Sequence, residues 1–285
     1  MLHPALDKSN GPLAQFRKSM KKFNATIGPP DRPDHTFSVV DYSKPYSFGR
    51  LNNDIIVLIS SLGITNEILL AKQAEYFLWL TTAATSLASA VDLLSSLGEY
   101  NMAERAILDG LDTPAVQTAI KSLVNREVKS FVKDTGKARS RMIVRKSRHL
   151  FGVCDPFGVL REGEVHVRIS AGRQSATTLE HCDVLVIRNP CLHPGDVIKL
   201  RTVARRELDH LVDCVVFAGV GKRAAASMTS GGDLDGKSSW HALRHRRLTR
   251  TGDQFTVCWD PDIVPFKITD VCLPHKIPES RSLIF

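Results

Sequence analysis

No two of the six cysteines, at 154, 182, 191, 214, 258 and 272, stand in C-x-x-C spacing. The usual zinc-ribbon and redox-dithiol patterns are thereby excluded, and scattered single thiols fit a reduced intracellular chain, nuclear or cytoplasmic, better than a disulfide framework. His241 and His245 are four apart but have no glutamate to make an H-E-x-x-H zinc motif. Residues 1–23 lack an apolar core and are dotted with Lys and Arg, so no secretory leader is expected there. Long apolar runs are missing as well. The longest uncharged stretch, residues 76–91, has 16 residues between Glu75 and Asp92, too few to span a bilayer; it reads as a buried helix, and no membrane partner is expected.

What is present is ordinary in bulk. With 43% hydrophobic and 24% charged residues, 285 residues can bury a substantial core in one or two domains. The texture changes twice along the chain. Residues 1–50 are Pro-rich and mixed, with a strand expected at 36–40. Residues 51–148 read as a helical subdomain: Ile55, Leu58, Ile59 and Leu62 recur at helical spacing, Gly63 stops them, and Thr65-Asn66-Glu67 can start a second helix. Residues 87–97, 102–108 and 114–132 follow the same rule, the last behind Asp112 and Thr113 as its N-cap region. The basic stretch 137–148 reads as a solvated helix end or linker, ahead of the alternative that its basic face contacts RNA phosphates. From 149 to 285 short β-type runs alternate with turns, at 164–169, 184–187, 213–217 and 255–259.

Chemistry is concentrated in Gly231-Gly232-Asp233-Leu234-Asp235-Gly236. In an extended segment residues two apart face one side, so Asp233 and Asp235 can converge on one ion. Clustered carboxylate oxygens select Mg²⁺, Mn²⁺ or Ca²⁺ over softer metals, and the glycines let backbone and a phosphate approach closely. Continued to Lys237-Ser238, the same residues also fit the phosphate-binding pattern G-x-x-x-x-G-K-[ST]. The context opposes that second reading. Alanines 224–226 precede the loop where a buried strand is required, and two aspartates inside it would repel the phosphates.

Arg188-Asn189-Pro190-Cys191-Leu192-His193-Pro194-Gly195-Asp196 and His210-Leu211-Val212-Asp213-Cys214-Val215-Val216-Phe217 precede this segment, and Asp253-Gln254-Phe255-Thr256-Val257-Cys258-Trp259-Asp260-Pro261-Asp262 follows it. Earlier come Arg17-Lys18-Ser19-Met20-Lys21-Lys22-Phe23, Leu51-Asn52 leading into Leu58-Ile59-Ser60-Ser61-Leu62-Gly63, and Gly152-Val153-Cys154-Asp155 with Gly163-Glu164-Val165. In that order they resemble the catalytic domain of the eukaryotic cellular RNA-dependent RNA polymerases of RNA silencing, over nearly the whole chain. The resemblance implies an α+β fold, a double-psi β-barrel with a helical block packed beside or inserted into it. It further implies RNA-templated nucleotidyl transfer by a two-metal mechanism, with an RNA template and ribonucleoside triphosphates as partners, Mg²⁺ or Mn²⁺ as cofactor, and RNA-silencing proteins in attendance. Family polymerases are far longer and build their cleft from two barrels, so a catalytic fragment is expected here.

The family motif reads DLDGD before an aromatic strand ending in Trp-Asp. Here Lys237 follows Gly236, yet Asp253-Gln254-Phe255 continues the motif once residues 237–252 are set aside. Asp233, Asp235 and Asp253 are therefore the expected metal ligands and catalytic residues. The sixteen intervening residues, KSSWHALRHRRLTRTG, carry Lys237, Arg244, Arg246, Arg247 and Arg250 and no acid, which is five of the eight net positive charges. The basic balance is thus mostly local and does not describe a general nucleic-acid surface. Weaker candidates for RNA or nucleotide contact are Arg188, His193, Lys222 and Arg223; bracing of the Asn-Pro and Pro-Gly turns is the structural reading of the first two. The family usually has His and Pro after the basic pair, where this chain has alanines 224–226. A non-catalytic RNA-binding remnant and a P-loop nucleotide hydrolase at 231–238 remain as alternatives.

Residues 237–252 read as translated intron. Gly-Lys-Ser can be encoded with a splice-donor pattern, Leu248-Thr249 with a branch-site pattern, and Thr251-Gly252 with a terminal CAG. Transcripts sequenced across Gly236 and Asp253 are expected to include a form shorter by the 48 nucleotides that encode these sixteen residues. Retention of the 48 nucleotides in every transcript overturns the intron reading.

Overall fold

A computed structural model describes residues 47–132, 141–171, 175–221, 225–229, 254–266 and 268. The strand expected at 36–40 lies outside them. Strand β1 (Arg50–Leu51) leads into α1 (Asn53–Ser61), whose start is set by the Asn52 side chain accepting from the Ile55 amide at 2.9 Å. Ile55, Leu58 and Ile59 are buried at helical spacing, and Gly63, at φ +102°, takes the left-handed conformation just past the helix end. Helices α2 (Asn66–Thr81), α3 (Leu87–Ser96), α4 (Tyr100–Asp109) and α5 (Pro114–Val132) follow where their spacing indicates.

The uncharged run 76–91 is not one helix. The hydroxyls of Thr81 and Thr82 donate back to the Leu78 carbonyl, a 3₁₀ turn occupies Thr82–Ala84, and the Ser86 hydroxyl caps α3 by accepting from the Ser89 amide at 3.1 Å. Closely spaced hydroxyls compete for backbone groups and end the helix without any charge to mark the place. The basic stretch also differs from its sequence reading. Its described part holds β2 (Met142–Ile143), paired antiparallel with β1, and the start of β3 (Ser147–Cys154), because Met142, Ile143 and Val144 are buried while Arg145 and Lys146 stay exposed.

The remaining described strands are β4 (Glu164–Ser170), β5 (Ala176–Thr178), β6 (Asp183–Arg188), β7 (Val197–Thr202), β8 (Cys214–Phe217) and β9 (Gln254–Cys258). Six strands close in the order β4, β7, β6, β9, β3, β8, with β8 returning to β4 and β5 appended to β4. Two of the pairings, β3 with β8 and β4 with β7, are parallel and the other four antiparallel. This closed mixed barrel is consistent with the double-psi architecture.

Successive residues of a strand serve different cores. Val184 and Val186 of β6 join Val165, Val167, Val215, Phe217, Phe255 and Val257 inside the barrel, whereas Leu185 and Ile187 face the helices beside Ile55, Ile59 and Leu93. Burial on both faces explains why these strands are continuous apolar runs rather than alternating ones. A third cluster, Leu160, Leu208, Leu211, Cys214, Val216 and Ala218, covers the outer face of β8.

Polar bridges join the helical block to the barrel. Lys72 of α2 lies 3.1 Å from Asp260 and 2.8 Å from Asp262, just beyond β9; burial opposes its charge, but the two carboxylates hold its pKa above the usual lysine value. The Arg145 guanidinium binds Asp92 at 2.6 and 3.1 Å and stacks near Phe48 and Trp79, and Arg148 stacks on Phe48 and Trp259. Within the block, Tyr76 donates to the buried Glu127 at 2.6 Å and Arg50 binds the same oxygen at 2.8 Å. Cys154, Cys182, Cys191, Cys214 and Cys258 are free thiols, and no helix among the described residues is long and apolar enough to cross a membrane.

Replacing Tyr76 by Phe removes a charge-assisted donor from Glu127 and is expected to lower stability by about 1.5–3 kcal/mol in urea unfolding. An unchanged midpoint would show that Arg50 alone satisfies the carboxylate.

Candidate active site at one end of the barrel

The pairings fix strand directions: β3, β6 and β8 run one way, and β4, β7 and β9 the other. Three connections, residues 155–163, 189–196 and 218–253, therefore gather at the end where β3, β6 and β8 finish. The third contains the interrupted aspartate motif. Asp233, Asp235, Asp253, Lys222 and Arg223 lie outside the described residues, as do 231–238 and the insert 237–252. The chain on either side of them is described.

On the upstream side, Phe217 sits in the barrel core with its ring edge-on to Phe255 at 4.9 Å. The backbone then runs tightly along the first connection. A Cβ on Gly219 would lie 3.2 Å from the Cys154 sulfur, and one on Gly221, at φ +124°, would lie 2.9 Å from the Glu162 carboxyl carbon. A 3₁₀ turn at Ala225–Met228 places Ala225 and Ala226 in the barrel core, and the fully buried Thr229 donates its hydroxyl to the Ala226 carbonyl at 2.7 Å. A phosphate-binding P-loop needs a strand running directly into it, and this turn stands in that place.

On the downstream side, Gln254 opens β9 opposite Phe151, and Phe255 pairs with Arg188. β8 and β9 are the two neighbours of β3, so they are about two strand spacings, roughly 10 Å, apart. With 237–252 set aside, eight residues would join Thr229 to Gln254. A link of that length reaches about 25 Å when extended.

Two of the weaker candidates occupy this end. Arg188 is the last residue of β6 and is half-buried. His193 is exposed, and its Nδ1 accepts from the Gly195 amide at 3.0 Å while its own amide donates to Asp196 at 3.3 Å, a capping box over Pro194–Asp196. With Nδ1 as acceptor, the neutral imidazole carries its proton on Nε2. His193 thus braces its turn, as the structural reading expects, and still has a second nitrogen available as a donor.

Asp155 is a determinant of this end that was visible in the sequence only as part of the family resemblance. Its carboxylate is buried and accepts from the Phe157 amide at 2.9 Å and the Leu160 amide at 2.8 Å, shaping the first connection. Asp155-Pro156-Phe157-Gly158 carries the signal of such an aspartate-anchored turn. Among the described residues no three His, Cys, Asp or Glu side chains converge as a metal site. The expected ligands, Asp233, Asp235 and Asp253, lie outside those residues, and a set of three carboxylates suits Mg²⁺ or Mn²⁺ chemically.

Asp155→Ala strands two amides and is expected to cost about 2 kcal/mol in denaturant unfolding, with faster hydrogen exchange at Phe157 and Leu160. Unaltered exchange at both amides would mean that another group holds the connection.

A sequence model of the family described as RNA dependent RNA polymerase matches residues 3–280. Among similar proteins, "Probable RNA-dependent RNA polymerase 1" of Oryza sativa subsp. japonica is 30% identical over 264 residues, covering 92% of this chain and 32% of that protein. "RNA-dependent RNA polymerase 1" of Arabidopsis thaliana is 31% identical over 268 residues, covering 92% and 22%. The protein of the same name from Schizosaccharomyces pombe is 27% identical over 282 residues, covering 91% and 21%. The chain therefore spans about a fifth to a third of the length of these relatives. The solved structure of RNA dependent RNA polymerase QDE-1 from Thielavia terrestris shares the fold, with a TM-score of 0.56 at 24% identity over 81% of this chain and 27% of that one.

Proposed function

This chain belongs to the RNA-dependent RNA polymerase family, and on that premise we propose that it is the catalytic barrel of an enzyme that copies RNA from ribonucleoside triphosphates. The observation that carries the reading is convergence. Three connections meet at one end of the barrel, and in the sequence of the one that contains Asp233, Asp235 and Asp253 the last aspartate immediately precedes β9. In this proposal residues 149–285 hold the chemistry, 51–148 support the barrel, and 1–50 lead into it.

Asp233, Asp235 and Asp253 would hold the divalent cations, Mg²⁺ or Mn²⁺. Bound there, two such ions lower the pKa of an attacking 3′-hydroxyl and neutralise the phosphate and its leaving oxygens. The protein's own part is placement. Arg188 offers a forked donor set for phosphate, the His193 Nε2 proton can be given to nucleotide or template, and Lys222 and Arg223 add positive charge ahead of the loop. Lys237 places a cation where the third carboxylate belongs and weakens cation binding unless the insert loops out. The copied strand would feed RNA silencing, with silencing proteins as partners inside the cell.

The test is primer extension on RNA with the chain in its full-length context. Deleting 237–252 is expected to create or raise incorporation, and Asp→Ala at 233, 235 or 253 to reduce it by several orders of magnitude. Unchanged incorporation after deletion, with all three aspartates still required, would mean that the insert is accommodated. Salt-sensitive RNA binding without metal-dependent incorporation would establish the RNA-binding remnant instead. ATP binding lost in Lys237→Ala but kept in Asp233→Ala would establish a nucleotide hydrolase.

A further inference from the structure

Strand β4 lies between β7 and β8, and the chain passes from β7 to β8 through residues 203–213. That connection has to cross β4. The Val203 amide donates to the Val165 carbonyl at 3.0 Å on one side of the crossing, and the Asp213 amide to the Arg168 carbonyl at 2.8 Å on the other. Between them Arg205 pairs with Glu164 at 3.2 Å and Asp209 with Arg168 at 3.1 Å. Val165 and Val167 enter the barrel, so Glu164, His166 and Arg168 share the outer face of β4, and the crossing lies over it.

His166 is fully buried there, opposite Val216 of the cluster that covers β8. Its Nδ1 lies 3.1 Å from the Val203 carbonyl oxygen, which can only accept, so the neutral ring carries its proton on Nδ1. Nε2 is left as a bare acceptor with no hydrogen-bond partner among the described residues. The other two buried side-chain nitrogens in that condition, Nε of Arg168 and Nε of Arg205, belong to the same seam. A proton added to Nε2 becomes a buried donor without an acceptor, and it sets a second cation beside Arg168.

We propose that the crossing of residues 203–213 over β4 is an acid-sensitive latch, closed while His166 is neutral and loosened when its ring takes up a proton. Burial, the largest influence, and the Arg168 cation hold the pKa of His166 below the usual histidine value, against the Val203 carbonyl and Asp209 of the crossing and Asp155 just past β3. On the facing side of β8 the titratable group is Cys214, a thiol kept neutral because burial pushes its pKa up to about 12. The remaining charges of the seam are already engaged: Glu164 with Arg205, and Asp213 with the amide and hydroxyl of Ser170. His210, the crossing's other histidine, has its ring against Phe157, and Arg206 and Glu207 are exposed. With the pKa depressed in the closed state, the open state binds more protons; the latch is therefore fully stable above the ordinary histidine pKa of about 6.5 and weakens as pH falls below it. β8 starts where the crossing ends and runs into the connection that contains the aspartate motif, so loosening the latch reaches the strand that supports that connection.

The test is amide hydrogen exchange of the 285-residue chain at about pH 7.5 and about pH 5.5, each rate divided by the intrinsic rate at that pH. Protection of the Val203 and Asp213 amides is expected to fall by up to about tenfold at the lower pH, because an open ring with a pKa of about 6.5 is then about nine-tenths protonated. His166→Asn keeps a neutral donor for the Val203 carbonyl and should remove most of this pH dependence, whereas His210→Gln should keep it. Ring NMR titration of the parent needs no variant and should show a histidine whose neutral form is protonated on Nδ1 and whose midpoint lies below the usual value. Equal protection at both pH values overturns the latch, as does the same acid loss in His166→Asn or the lack of such a ring in the titration. An acid loss as large in α5 and β6 as at the crossing also overturns it, by making the effect global. None of these readouts uses RNA, nucleotide or metal, so primer extension decides the polymerase reading separately.

Discussion

Strand β9 is only five residues long, and its placement depends on being paired along both edges. Residues 147–151 of β3 hold one edge and residues 185–188 of β6 the other. Phe255 and Val257 enter the barrel core while Cys258 enters the core beneath the helices, so a slip of one residue would exchange the two faces. This double constraint fixes where β9 begins, and the residue before its first is Asp253. The candidate chemistry therefore depends on a register decided by packing some distance from it.

The helical block reinforces that register from outside. Its apolar face covers Leu185, Ile187, Val197 and Cys258, and Lys72 grips the carboxylates that follow β9. Arg145 and Arg148, interleaved with Phe48, Trp79 and Trp259, fasten the start of β3 to the same block. Basic residues that suggest nucleic-acid contact in a linear reading are here engaged in stacking and in the Asp92 ion pair. They lie at the end of the barrel away from the three connections, because β3 starts there.

The helices were legible because their signals are local: Asn52, Ser86 and Gly63 mark boundaries, and apolar spacing marks the buried face. The break at Thr82–Ala84 was hidden because hydroxyl groups ended the helix where no charge or glycine stood. Of the strands, β4, β6, β8 and β9 stood out as apolar or alternating runs, and β3 and β7 did not. β7 carries Lys199 and Arg201, which make sense only once Asp183 is placed across from them at 3.1 and 2.9 Å. β3 begins inside a basic stretch, and its partners β8 and β9 are 60 or more residues away in sequence. The anchoring role of Asp155 was likewise open until Phe157 and Leu160 were seen to share its carboxylate.

Sequence by itself determined which residues have the chemistry for a divalent metal, that their motif is broken by sixteen residues with five Lys or Arg and no acid, and to which family the surrounding segments point, because residue type and order are properties of the linear chain. Tertiary structure alone decided that connections 155–163, 189–196 and 218–253 share one end and that a buried 3₁₀ turn stands where a P-loop would need a strand. Strand direction and pairing between segments far apart in the chain set these relations, and no local periodicity encodes them.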